Sequence, residues 1–137
     1  MKRWLATLLA VGVAGASLSE PAQGAVTQEN FHVRTAADLV ALCSAEGSDE
    51  MTTAAVVFCH GYAVGVYQTL MAQHAGMRTK PFCVPNPAPS RTEALAAFVT
   101  WAKASPAVLS EGAPDAILRY ISQQFPCAGQ EPSTKRR

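Results

Sequence analysis

Residues Thr52 to His74 read TTAAVVFCHGYAVGVYQTLMAQH, and this stretch decides the fold. Val56, Cys59, Ala63, Val66 and Leu70 recur at spacings of three and four, which is the period of one helix face. Gly61, Gly65 and Ala72 fall on the other side and make a smooth strip that a second helix can approach closely. A helix apolar on both sides belongs at the centre of its domain, so the strip is expected to be covered. Residues 54–72 carry no charge, which also suits a membrane span. Two glycines, His60, Gln68 and a cysteine in need of a partner argue against that reading.

Shorter helices flank this one. Thr35-Ala36-Ala37-Asp38 resembles a capping box with Asp in place of Glu, and opens a helix through Leu39, Val40 and Leu42 that ends near Cys43. Ala45-Glu46-Gly47-Ser48-Asp49 is turn chemistry. After the long helix, the prolines of Phe82-Cys83-Val84-Pro85-Asn86-Pro87-Ala88-Pro89 forbid both helix and interior strand. Ser90 and Glu93 form a full capping box, behind which Leu95, Phe98, Val99 and Ala102 make the next stripe, stopped by Ser105-Pro106. A last helix starts around Pro114, with Ile117, Leu118, Ile121 and Phe125 facing inward, and closes at Pro126-Cys127. No run alternates convincingly as a strand does, so the expected fold is all-α: four helices in one small domain over residues 35–127. Residues 25–34 read as an exposed lead-in, and 128–137 as a disordered polar tail.

The chain of 137 residues suffices for one domain, and its 49% apolar side chains exclude a disordered polymer. Its start is an address. Lys2 and Arg3 precede an apolar run from Trp4 to Ala16, and Ala22-Gln23-Gly24 supplies small residues for cleavage before Ala25. Residues 1–24 are therefore expected to be a signal peptide, since the run falls short of the ~20 residues of a span. The remaining 113 residues carry 9 basic and 9 acidic side chains, so no electrostatic footprint for nucleic acid is left.

Export makes disulfides the default for Cys43, Cys59, Cys83 and Cys127, and four cysteines leave three pairings open. Zinc would need close ligand pairs such as C-x₂-C, which are missing. His60, Tyr67 and His74 recur every seven residues, yet the two histidines stand roughly 21 Å apart along a helix and cannot share a metal. They read as half-buried or rim residues. Tyr62, Trp101 and Tyr120 read as core aromatics rather than binding anchors. No serine has a base beside it, and no carboxylate pair or phosphate-cradling glycine loop occurs. The sequence thus offers no catalytic residue, no metal site and no cofactor site.

Taken in order, the landmarks are Leu39-x-x-Leu42-Cys43, then Cys59-His60-Gly61-Tyr62-x-x-Gly65-Val66. Phe82-Cys83-Val84-Pro85, Ser105-Pro106 and Phe125-Pro126-Cys127 complete them. The pattern, from about Ala37 to Cys127, resembles the Rap/Tai-type immunity proteins of type VI secretion systems. That resemblance implies a small helical periplasmic protein, with disulfides between the first two and between the last two cysteines. Such pairs would close loops of 16 and 44 residues, worth roughly 3 and 4 kcal/mol on the chain-entropy model. It also implies a protein that catalyses nothing and covers the active site of an injected peptidoglycan amidase, often as a homodimer. A stiff loop loses little entropy on docking, which points to Lys80, Asn86 and Arg91 around the Pro85–Pro89 bend as contact residues. The competing expectation is a periplasmic stress or chaperone-like helical protein without a toxin partner.

Overall fold

Five α-helices, one more than the four expected, start where side-chain or proline chemistry allows, and their order builds the domain. The computed structural model describes residues 25–128; the expected signal peptide, and all of the expected tail beyond Ala128, lie outside the described residues. Helix α1 spans Ala36–Cys43. Thr35 Oγ1 accepts from the Asp38 amide at 3.3 Å, and Asp38 Oδ2 accepts from the Thr35 amide at 3.1 Å. Helix α2 spans Glu50–His74, two residues earlier than the periodicity places it, because Asp49 accepts from the Thr52 amide at 3.0 Å and caps it. Helix α3, Arg91–Lys103, carries the Ser90–Glu93 capping box. Ser105-Pro106 does stop α3, with Ser105 extended as the residue before proline prefers, and Pro106 also opens a one-turn helix, α4, Pro106–Leu109, where its missing N–H costs no bond. Helix α5 is Ala113–Gln124, with Pro114 in its first turn. Among the described residues there is no strand, and the domain is all-α.

The centre of the domain is α1, the short helix, and not α2. Ala36, Leu39 and Leu42 are wholly buried and Val40 nearly so, because α1 packs against α2, α3 and α5 at once. Burying Leu39 and Leu42 contributes about 1.5–3 kcal/mol each. Of the 25 residues of α2, Ala55 and Cys59 alone are fully buried. Val56, Ala63, Val66 and Leu70 are half-buried, while Val57 is 68% exposed. Among the described residues the strip of Gly61 and Gly65 is uncovered: a Cβ added at either would meet nothing within 4 Å. The expectation of a covered, central α2 is therefore corrected. Two apolar faces say that a helix can be buried on both sides, and among the described residues the other helices cover only one.

Covalent links fix the rest. Cys43 at the end of α1 is bonded to Cys59 on α2, and Cys83 is bonded to Cys127 just beyond α5. The lead-in is partly structured: Gln28–His32 form a 3₁₀ turn, Val33 is buried, and Phe31 meets the edge of Phe58 on α2 at 5.3 Å. Val33 takes a left-handed backbone, φ 42°, a rare conformation for a β-branched residue. On the opposite side Phe98, Trp101 and Tyr120 join α3 to α5, with ring centroids 5.4–6.0 Å apart. Glu111 ties α1 to α5, its carbonyl accepting from the Ala36 amide at 2.8 Å and its carboxylate pairing with Arg119 at 2.8 Å.

Candidate functional site

The segment between α2 and α3 is held at both ends and bare in the middle. Phe82 is buried, with its ring 5.9 Å from His74 and 6.4 Å from Tyr67, both on α2. One residue on, the Cys83 amide donates to the Phe125 carbonyl at 2.7 Å and its sulfur is bonded to Cys127. Val84 packs against the core, and the residues from Pro85 to Ser90 are then all exposed. Ser90 ends the segment as the cap of α3. The result is a short loop with three prolines, anchored by an aromatic plug, a disulfide and a helix cap. Ordering a free residue costs about 1–2 kcal/mol of backbone entropy, and here folding has already met much of that cost.

The three contact residues expected from the sequence occupy different parts of this segment. Asn86 lies in the bare loop, joined to Pro87 by a cis peptide bond. Arg91 is exposed in the first turn of α3. Lys80 is also exposed, but it precedes the Phe82 plug, in the turn that leaves α2. Neither Lys80 nor Arg91 forms an ion pair among the described residues.

Behind the loop lies a cleft of ≈ 260 Å³ between α2, α3 and α5. Its floor is Phe98, Ile117, Tyr120 and Ile121, all buried; Ala63, Tyr67 and Leu95 form its walls, and Arg91 and Gln68 stand at its edge. Burial pushes the Tyr120 phenol up, so it stays protonated at any physiological pH. Sequence reading does not find this cleft. The stripes of α3 and α5 mark Phe98, Ile117 and Ile121 as inward, but not that small residues such as Ala63 and Ala94 leave space above them.

The histidines have structural surroundings. His74 is half-buried against Phe82, and His60 is half-buried fourteen residues earlier on α2. Among the described residues, no three His, Cys, Asp or Glu side chains gather as a metal site would require. Asp38 belongs to folding chemistry as well. Burial alone would raise its pKa, but bonds from the Asn30 side chain, from Thr35 and from the Arg34 amide outweigh that and lower it.

Residues 35–127, the same span that carries the helices and both disulfides, match the family model of the Rap1a immunity proteins. No curated protein and no solved structure matches the chain.

Proposed function

The chain belongs to the Rap1a immunity proteins, and on that premise we propose that it guards its own cell in the periplasm by blocking a type VI peptidoglycan amidase. Family membership supports an immunity role and an effector as partner, and members of this family are typically periplasmic. The observation that carries the finer reading is the Pro85–Ser90 loop, exposed along its length and pinned at its base by Phe82 and the Cys83–Cys127 bond. In this reading the protein docks and does not catalyse. The loop enters the amidase cleft, and Asn86 and Arg91 hydrogen-bond to its rim. Lys80 sits outside the loop and makes the weaker contact.

The open strip of α2 supports a second partner, another copy of this chain. Val57, Gly61, Gly65 and Ala72 lie along one uncharged side of a helix roughly 37 Å long. A two-fold pairing would set each strip against itself.

The test is survival. Cells exporting a type VI peptidoglycan amidase that this protein binds should lyse, and co-expression of the protein should rescue them. Asn86→Trp or Arg91→Glu should weaken rescue while leaving the protein folded. Lysis despite abundant folded protein would overturn the proposal; so would rescue undiminished by both loop substitutions, as far as the loop is concerned.

A further inference from the structure

The cleft behind the loop shares Arg91 with the proposed amidase contact, but its apolar interior is not used by docking of the loop. Its lining is almost wholly apolar, its floor is buried, and one charged side chain borders it, Arg91; no carboxylate lines it. Arg91 is free of ion pairs among the described residues. The acid nearest in sequence, Glu93, is engaged elsewhere, its Oε2 accepting from the Ser90 amide at 2.8 Å. An apolar trough with a cation at its mouth is complementary to a molecule with an apolar body and an anionic head. Size narrows the choice. A dry cavity of about 150 Å³ holds one benzene ring, so at the same occupancy ≈ 260 Å³ holds about ten carbons.

We propose that this cleft is a binding site for a single-chain fatty acid of about ten carbons, scaled from that occupancy, with the acyl tail over Phe98, Ile117 and Ile121 and the carboxylate on Arg91. The tail displaces water from the half-buried walls, Ala63, Tyr67, Ala94 and Leu95, above that buried floor, and the guanidinium supplies a charge-assisted hydrogen bond. The α2 strip does not compete as a site for this ligand, because nothing among the described residues stands over Gly61 or Gly65 to enclose a chain and the strip carries no cation. The site shares Arg91 with the amidase reading, but ligand binding is measured without the amidase and so is tested separately.

Calorimetry and amide-shift mapping of the purified mature protein with decanoate, below its micelle concentration, test the assignment, with decanol as the uncharged probe. Decanoate should bind one to one and shift the amides around Phe98 and Ile121. Arg91→Gln should weaken decanoate about tenfold, the effect of losing one charged hydrogen bond, and leave decanol unchanged. Ala94→Phe, which fills the cleft from α3, should abolish both. Several results would overturn the proposal. These are equal decanoate affinity in Arg91→Gln and the parent protein, or shifts centred on Gly61 and Gly65. Affinity that falls as protein concentration rises would also do so, because a second copy would then be the occupant.

Discussion

Removal of the Cys83–Cys127 bond is the perturbation whose size follows most directly from the structure. The bond closes a 44-residue span, which on the chain-entropy model restricts the unfolded chain by about 4 kcal/mol at 25 °C. Cys83 is exposed and Cys127 half-exposed, so replacing both with alanine leaves no large cavity to add to that figure. The Cys43–Cys59 bond is a different case. Its 16-residue span is worth about 3 kcal/mol, but Cys59 is buried, and its loss also removes packing between α1 and α2. The two spans do not overlap, so their effects on the unfolded chain should add. Urea unfolding of Cys83→Ala/Cys127→Ala should therefore show a loss of about 4 kcal/mol, with a larger m-value because the freed chain expands. A loss below about 1 kcal/mol with m unchanged would refute the reasoning. It would mean that Phe82 and the Cys83–Phe125 hydrogen bond alone hold the ends together.

Three further outcomes follow from particular residues. Gly61→Ala and Gly65→Ala should each stabilise the monomer by about 0.5–1 kcal/mol in thermal unfolding, since helix interiors disfavour glycine and the added methyl has open space; destabilisation would show that something covers the strip. Leu42→Ala, at a wholly buried position on the central helix, should cost about 2–5 kcal/mol, whereas Val57→Ala on the open face should change urea stability little; comparable losses would contradict the placement of α1 and α2. The pKa values of Asp38, Asp49 and Glu93 are all lowered, by hydrogen bonds that cap α1, α2 and α3. Their stabilisation is thus present at neutral pH and lost as pH falls below about 4, through the folded-state values. Urea midpoints should drop over that range, and Asp38→Asn should reduce the slope; a midpoint that holds steady to pH 2.5 would count against the caps.

The helix starts could be read from the sequence because capping is local. Thr35 with Asp38, and Ser90 with Glu93, are three residues apart, and nothing distant is needed to satisfy them. The stop of α3 at Ser105-Pro106 was legible for the same reason, but the extra turn that Pro106 opens was not. A proline three residues after α3 can both end one helix and begin another, and the burial of Val108 holds the added turn in place. The position of α2 could not be read. Its periodicity identifies two apolar faces, but which one is covered depends on the area that α1, α3 and α5 have left to offer. The candidate loop was legible as stiff from its prolines, and its Phe82 plug was not, because Tyr67 and His74 lie eight and more residues away on another helix. The cleft is the least legible feature. It is space left by small side chains on separate helices, and no window of sequence contains it.

The claim that this domain is a docking scaffold meets its most direct test in calorimetric titration of a type VI peptidoglycan amidase, the proposed partner, with the oxidised protein. The account predicts saturable binding at a fixed stoichiometry, with peptidoglycan hydrolysis falling in step and lost entirely at saturation. Absence of heat at micromolar concentrations, or binding that leaves hydrolysis intact, would contradict it.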